Sequence, residues 1–329
     1  MGITVWAATD VYMISNVGHG KYILEFIAPK VREKYNINLY AEDTFGQVAR
    51  AKLLAERSSP TISLLTADSY IFDAMRDDEL IAELDPNIVT NMQDLLPGSV
   101  YPDLRGCIFV YGQPIGIVYN TEVFKKNGWA PPKSWKDLFR AEFKGRVSII
   151  SIESGWGVAQ FAAWAKINGG DENNVEPAFT MVKALLPYLY NIHTKSSMLQ
   201  ELLAAGEVWV GVTGASAVYE IKAKGVPVEF VIPEEGCPWV SISIGPVKGG
   251  RYPVEAQLVI NELLSAEFQS FLASKRFVVP ANMKAAIPPE LEPLRESLYS
   301  GIGVIPLDWR IITQNLSQWL ERWKREIIY

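Results

Sequence analysis

Residues 107–120 read CIFVYGQPIGIVYN, a long and mostly apolar stretch interrupted by Gly112, Pro114 and Gly116. This composition predicts an extended segment, and its length suits a strand that passes from one domain into another. A second run of the same kind, WVSISIGPV, covers Trp239–Val247. Two crossings would take the chain out of a first domain and back into it. We therefore expect two lobes, formed by 1–112 plus 241–283 and by 113–240 plus 284–329.

The chain before the first crossing alternates between β-type and helical patterns. Short apolar runs predict strands, and apolar residues at helical spacing predict helices. The predicted strands are Ile3–Ala7, Asn36–Ala41 and Thr61–Thr66, and the predicted helices are Lys21–Tyr35, Gln47–Arg57 and Asp68–Asp77. Alternation with short connections indicates a parallel sheet with helices on both faces. Ligands of such sheets bind beyond the carboxyl ends of the strands.

A second block of the same type follows the first crossing. Its predicted strands are Arg146–Ile152, Val208–Val212 and Val228–Ile232, and its predicted helices are Ser134–Arg140, Trp156–Lys166, Glu176–Leu185, Ser197–Ala205 and Ser216–Lys224. Further helices are predicted at Pro253–Leu264, Ala266–Lys275 and Leu307–Ile327. The predicted fold class is α/β, with two Rossmann-like lobes joined by two crossing strands.

Composition excludes several classes of function. The 329 residues correspond to about two domains. With 31 basic and 37 acidic residues the formal net charge is −6, which argues against a nucleic-acid partner. Two cysteines and two histidines leave little for a zinc site, a disulfide framework or a His-based metal centre. We expect no metal and no cofactor.

The sequence begins with an apolar segment. Met1–Trp6 lacks the charged region followed by an apolar region of a signal peptide, and no apolar run approaches the ~18–20 residues of a membrane span. Two interpretations remain: a cytosolic protein, or an exported one whose signal has been removed.

Four segments, in this order and spacing, carry a resemblance to a known family. They are Tyr111–Asn120 (YGQPIGIVYN), Pro131–Leu138 (PPKSWKDL), Leu202–Val212 (LLAAGEVWVGV) and Ala223–Gly236 with its VPVEF core. The chain resembles the extracellular solute-binding proteins of ABC importers, in the subgroup for polyamines, ferric iron, thiamine and small amino-acid-like solutes.

This resemblance implies a type II periplasmic-binding fold, with a ligand held in a cleft between the lobes by hinge closure. It also implies a periplasmic or lipid-anchored extracellular location after signal cleavage, permease subunits as partners, and a monomer.

The strand ends and their aromatic neighbours supply the candidate ligand-binding residues. Ser154-Gly155-Trp156-Gly157 opens a helix after a strand and is predicted to bind an anion, the alternative being an ordinary Ser cap. Acids at strand ends (Asp10, Asp68, Glu153) would bind an ammonium group, and the neighbouring aromatic rings would make cation–π contacts with it. The full set of predicted ligand-binding residues is Thr9, Asp10, Tyr12, Thr44, Asp68, Ser69, Tyr111, Ser154, Gly155, Trp156, Thr213, Tyr219, Trp239 and Ser241.

The resemblance also narrows the ligand. Polyamine binders place a stacking Trp at the head of the second crossing, followed two positions later by an Asp, and this chain has Trp239 but Ser241. Where they place another Trp, it has Thr213. Ferric-iron binders carry two adjacent tyrosines where only Tyr219 stands here, so iron is not expected. We expect a zwitterionic ω-amino acid or aminophosphonate, with a polyamine as the alternative.

An enzyme is the competing class of function. The same fold carries thiamine-cleaving catalysts that use a cysteine, and Cys237 stands close to Trp239. An activated thiolate usually has a cationic or His neighbour, whereas Glu234 and Glu235 flank Cys237 in sequence. We therefore expect a binding protein and not an enzyme.

Overall fold

The computed structural model describes residues 7–103, 105 and 108–327. Within them the strands are β1 (Thr9–Asn16), β2 (Ile37–Thr44), β3 (Leu64–Asp68), β4 (Ile108–Asn120), β5 (Val147–Ile150), β6 (Leu189–His193), β7 (Val210–Gly214), β8 (Val228–Val231), β9 (Trp239–Pro246) and β10 (Val279–Pro280). The helices are α1 (Gly20–Tyr35), α2 (Gly46–Ala55), α3 (Ser69–Asp77), α4 (Thr121–Asn127), α5 (Gly155–Ile167), α6 (Glu176–Leu185), α7 (Ser196–Ala204), α8 (Ala215–Lys222), α9 (Pro253–Leu263), α10 (Ala266–Arg276), α11 (Glu292–Ser300) and α12 (Trp309–Glu326).

The chain divides into two compact units. Unit 1 holds the chain up to Gly112 together with Ser241–Lys275 and Val279–Pro289, and unit 2 holds Gln113–Val240, Arg276–Val278 and the chain from Glu290 onward. Two of the five changes of unit fall within long strands, β4 and β9. The predicted segment 241–283 differs from this division, because 276–278 group with unit 2 and 284–289 group with unit 1.

Unit 1 is built on a sheet in the order β2–β1–β3–β9. β1 pairs in parallel with β2 and β3, and β9 runs antiparallel to β3. One face of α1 packs into the core, because Ile23, Ile27 and Val31 recur at helical spacing and are fully or nearly buried. The parallel sheet predicted for this part of the chain is confirmed.

Unit 2 repeats the arrangement with β7 between β4 and β5. β5 runs parallel to β6 and β7, while β4 runs antiparallel to β7 and β8. Its core is rich in aromatic rings: Phe161 of α5 meets Phe179 of α6 at 4.8 Å and Trp323 of α12 at 5.8 Å between ring centroids. Asp308 caps α12 by accepting from the backbone N–H of Arg310 at 3.0 Å.

Several predicted elements differ from the structure. The predicted strand Ile3–Ala7 lies almost wholly outside the described residues, and β1 begins at Thr9. The sequence predicts Thr9 and Asp10 beyond the carboxyl end of a strand, yet they open a strand whose later residues are buried. The helix predicted at Ser134–Arg140 is a short 3-10 helix, Trp135–Phe139, and β6 was not predicted.

Candidate functional site

The start of β1 in the structure changes the position of three predicted residues. Thr9, Asp10 and Tyr12 lie in the first half of the strand, away from its carboxyl end. Asp10 accepts a hydrogen bond from Asn38 at 2.7 Å, and the Tyr12 ring stacks on Tyr40 at 4.9 Å. Their prediction as ligand-binding residues assumed a strand that ends at Ala7, whereas β1 runs from Thr9 to Asn16.

The carboxyl ends of β1, β2 and β3 lie together because these strands are parallel. We call this region of unit 1 the acidic rim and define it as Asn16–His19, Asp43–Phe45 and Asp68–Tyr70. The predicted residues Thr44, Asp68 and Ser69 belong to it.

The carboxylate of Asp43 occupies the N-terminus of α1. It accepts from the backbone N–H groups of Gly18 at 2.8 Å and Gly20 at 2.9 Å, and also from the Ser15 hydroxyl. A Cβ at residue 20 would stand 2.3 Å from Asp43 Oδ1, so glycine there leaves room for this carboxylate. This helix start is therefore closed to an anionic ligand group.

Asp68 ends β3 with its carboxyl group half-buried. Desolvation by burial raises the pKa of Asp68 to about 6, and none of the described basic side chains forms an ion pair with it. Burial and the Asp68 charge together raise the pKa of Tyr70. A desolvated carboxylate without a cationic partner is a candidate site for a ligand cation.

A group of serines lies next to Asp68. The Ser69 hydroxyl is 2.6 Å from the Ser243 hydroxyl, and Ser241 donates to Ser69 at 2.8 Å. Two predicted residues, Ser69 and Ser241, are thus brought together in unit 1.

The ring of Tyr111 is not exposed to a ligand. It is 5% exposed, and its hydroxyl is 2.9 Å from Nδ1 of His19, which is also buried. Sequence reasoning did not select the aromatic residue that the rim exposes, Phe45, which is 68% exposed. Its only signal is its position directly after β2.

In unit 2 the parallel strands β5, β6 and β7 end side by side, and each is followed by a helix. We call this region the donor rim and define it as Ser151–Gly157, Thr194–Ser196 and Thr213–Ser216, with Gln113 of β4 beside it. The N-termini of α5, α7 and α8 meet here, and each carries partial positive charge. The predicted residues Ser154, Gly155, Trp156 and Thr213 belong to this rim.

Ser154 acts as the cap of its own helix. Its Oγ accepts from the Gly157 N–H at 3.1 Å and donates to the Ser151 carbonyl at 3.2 Å. Gly155 is the first residue of α5, and Glu153 is exposed beside it. The ordinary capping role, considered as the alternative for Ser154, is the one observed.

The start of α8 is more crowded. Gln113 Oε1 accepts from the Ser216 N–H at 2.8 Å, and a Cβ on Gly214 would stand 2.7 Å from both that oxygen and the Trp156 ring. Trp156 and Gln113 therefore lie against the same glycine. Nothing in the sequence singles out Gln113, which stands within an apolar strand.

Thr213 and Tyr219 have partners within unit 2. The Thr213 hydroxyl is 3.2 Å from the Ser196 hydroxyl at the start of α7. Tyr219 is 7% exposed, donates to the Glu290 carbonyl at 3.2 Å and stacks on Phe277, and burial is the main cause that raises its pKa to about 12. These contacts describe a packing residue.

Trp239 opens β9 and is half-buried. Its indole Nε1 is enclosed without a hydrogen-bond partner in the described part of the chain. Cys237, two residues earlier, is fully buried, and desolvation raises the pKa of its thiol to about 12. A thiol in this environment is not poised as a nucleophile.

Two further properties concern the described residues as a whole. They contain no group of three or more His, Cys, Asp or Glu side chains placed to hold a metal ion. None of their helices is both long and apolar enough to cross a membrane.

A model of a family described as bacterial extracellular solute-binding proteins matches residues 32–294. An uncharacterized protein of Haemophilus influenzae is 32% identical over 163 residues, which is 49% of this chain and 45% of that protein. The spermidine/putrescine-binding periplasmic protein of Escherichia coli is 25% identical over 229 residues, which is 64% of this chain and 62% of that protein. The matches therefore span less than two thirds of either relative's length.

Solved structures are similar over nearly the whole chain. A putative extracellular solute-binding protein from Bordetella parapertussis has a TM-score of 0.81 at 20% identity, covering 97% of this chain and 98% of that one. The spermidine/putrescine substrate-binding protein PotD from Streptococcus pneumoniae has 0.78 at 17%, covering 95% and 98%.

The periplasmic binding protein AfuA from Actinobacillus pleuropneumoniae, with fructose-6-phosphate bound, has 0.73 at 22%, covering 97% and 99%. At these identities the likeness shows the fold alone. The predicted α/β fold of periplasmic binding proteins is confirmed.

Proposed function

Because the chain belongs to the bacterial extracellular solute-binding protein family, we propose that it is the substrate-binding receptor of an ABC importer. Its partners are then a small-molecule ligand and the permease subunits, and it works as a monomer in the periplasm or anchored outside the cell. The Escherichia coli relative, a spermidine/putrescine-binding periplasmic protein, supports this assignment. Capture by hinge closure stays a prediction of the resemblance.

The ligand is a small solute that carries an amine, and one observation carries this proposal: the carboxyl group of Asp68. It is half-buried at the carboxyl end of β3 and has no ion pair with a described residue. A ligand ammonium group would supply the missing charge and would favour the ionised form of Asp68. A solute that also carries an acidic group, such as an ω-amino acid or aminophosphonate, suits the donors of unit 2.

The test compares two Asp→Asn variants of the same unit. Binding of putrescine, 4-aminobutyrate, 2-aminoethylphosphonate and fructose-6-phosphate is measured by thermal shift and calorimetry. Asp68→Asn should weaken every amine that the parent binds by about 30-fold or more, because a charge-assisted hydrogen bond is lost. Asp10→Asn is the control, because Asp10 lies at the other end of β1 and should not matter.

Two results would contradict the proposed ligand class. One is an amine affinity that is equal in the parent and in Asp68→Asn. The other is a parent that binds fructose-6-phosphate but no amine.

A polyamine is the second candidate. Two observations support it. One relative in sequence and one similar solved structure are spermidine/putrescine-binding proteins, and Trp239 stands at the head of β9. The substitution Ser241→Asp would add an acid next to Ser69, and we expect it to favour putrescine over 4-aminobutyrate.

The enzyme alternative is not supported. The family and the named relatives are solute-binding proteins, and the Cys237 thiol is fully buried.

A further inference from the structure

Two polar groups at the start of α8 have no hydrogen-bond partner among the described residues. Gln113 is 8% exposed and uses Oε1 to accept from the Ser216 N–H, but its Nε2 group donates to nothing. Ser216 is 2% exposed, and its Oγ also makes no hydrogen bond within the described chain. Neither atom is among the fully enclosed unpaired atoms, such as His193 Nε2, so each keeps a small solvent-accessible surface.

Both side chains are more than nine-tenths buried, yet each keeps one unpartnered polar atom that solvent can reach, where a water molecule or a ligand group can bond to it. The side-chain amide of Gln113 is fixed, because Oε1 caps α8 and the Gly214 backbone packs against it. Its free Nε2 therefore has a defined direction at the start of the helix. It can only donate, and the Ser216 hydroxyl can donate as well.

The surroundings favour an anion at this point. α8 brings the partial positive charge of its N-terminus, and the cap that Gln113 provides is neutral and leaves that charge uncompensated. The Trp156 ring lies against the same glycine, Gly214, and adds an apolar surface beside Gln113. The N-terminus of α5, which sequence reasoning favoured, is less suited because the Ser154 hydroxyl is already used within its own turn.

We propose that Gln113 Nε2, Ser216 Oγ and the first turn of α8 form the subsite in unit 2 for the acidic group of the ligand. The proposal rests on the proposed function and makes the ligand an amine that also carries an oxyanion, a carboxylate or a phosphonate. Neutral donors and a helix N-terminus hold the oxyanion, with no basic side chain required.

The experiment uses Gln113→Glu and Ser216→Ala in the full chain. Gln113→Glu keeps an oxygen that can cap α8, so the helix start is retained while the donor is replaced by a negative charge. Gln318→Glu is the matched control, because Gln318 is exposed on α12 of the same unit. Probes are 4-aminobutyrate and 2-aminoethylphosphonate, which carry both groups, and putrescine, which carries ammonium groups only.

We expect Gln113→Glu to weaken whichever acid-bearing probe the parent binds by about tenfold or more, with Ser216→Ala weakening it by about threefold. Putrescine should lose nothing in either variant, and Gln318→Glu should bind all probes like the parent. A melting curve of each unliganded variant shows that it is folded.

The outcomes separate this subsite from the proposed function. A parent that binds putrescine through Asp68 but neither acid-bearing probe overturns the subsite and leaves the receptor for amines standing. An acid-bearing probe that binds Gln113→Glu as it binds the parent also overturns it. A parent that binds none of the three probes overturns both the subsite and the amine ligand class.

Discussion

The two rims follow the same architectural rule and carry opposite chemistry. Each lies where three parallel strands end and helices begin. In unit 1 the N-terminus of α1 is filled by the carboxylate of Asp43, whereas in unit 2 the N-terminus of α8 is capped by the neutral amide of Gln113. A charged cap closes a helix start to anions, and a neutral cap leaves it open.

The buried titratable groups show the same contrast. In unit 1 burial raises the pKa of Asp68 to about 6, and in unit 2 burial lowers the pKa of His193 to about 4. Unit 1 therefore holds a carboxylate that gains from a ligand cation, while unit 2 holds an imidazole that stays neutral. Helix dipoles and hydrogen-bond donors then set the polarity of the donor rim without a buried cation.

The largest expected effect is a loss of stability in acid that depends on His193. This side chain is fully buried at the end of β6, with Nδ1 2.9 Å from the Ser148 hydroxyl and Nε2 enclosed without a partner in the described chain. Its pKa is lowered from 6.5 to about 4 by burial, so the unfolded chain takes up a proton first. Stability present above pH 6.5 should be lost as the pH falls toward 4, by about 3 kcal/mol.

Urea unfolding of the parent and of His193→Gln at several pH values measures this effect. The variant loses the Ser148 contact at every pH, so the informative quantity is the slope of the unfolding free energy against pH. The slope between pH 4 and 6.5 should be smaller in the variant. An identical slope in both proteins would show that His193 is not kept neutral by the fold.

The next effect concerns the charged cap of α1. Asp43→Ala leaves the N–H groups of Gly18 and Gly20 and the Ser15 hydroxyl without their acceptor. We expect a loss of about 1–2 kcal/mol in the unfolding free energy, because Asp43 is exposed and water replaces part of the interaction. Glu42→Ala is the control, since the neighbouring Glu42 forms an ion pair with Lys52 at the surface. Equal losses in the two variants would contradict the capping role.

A smaller effect on stability, with opposite sign, is expected at Asp68. Its folded pKa of about 6 lies above the ordinary 3.8, so ionisation costs stability as the pH rises through this range. At pH 7 Asp68→Asn should therefore be more stable than the unliganded parent by about 1 kcal/mol, the figure being reduced for partial exposure. Amine affinity of the parent should fall as the pH drops below about 6. Denaturant unfolding at pH 7 checks the stability of Asp68→Asn, and calorimetry at two pH values checks the amine affinity of the parent. A destabilised variant would show that Asp68 has a partner in the fold.

Sequence patterns predicted the fold well because its signals are local. The crossing CIFVYGQPIGIVYN contains β4, and the apolar spacing of Ile23, Ile27 and Val31 predicted α1 to within one residue. β1 was misplaced because the helix after it lacks a local start signal: His19 precedes α1 but does not cap it, and the cap comes from Asp43 in another strand.

The candidate site was predicted in part for the same reason. Asp68 and Ser69 stand at a strand end that apolar patterning indicates, and both belong to the acidic rim. Gln113 could not be found, because its role depends on a hydrogen bond to Ser216 over a hundred residues later in the chain. Long-range pairings of this kind leave no periodic signal in a single sequence.

The smallest expected effect tests whether the acidic rim offers an aromatic surface to a cation. Phe45 is 68% exposed at the start of α2, and a Cβ on the adjacent Gly46 would stand 3.0 Å from Ile71, so the backbone beside Phe45 lies close to α3, the helix that follows Asp68. Phe45→Ala should lower amine affinity by about 2–5-fold, the size of an exposed cation–π contact, and change the unfolding free energy by less than about 0.5 kcal/mol. Val48→Ala, which truncates a side chain 56% exposed on the same helix, should leave the affinity unchanged, and so should Tyr12→Ala in the first half of β1. Calorimetry with the best-bound amine decides: an equal loss in Val48→Ala would mean that apolar area, and not the aromatic ring, is what the ligand contacts.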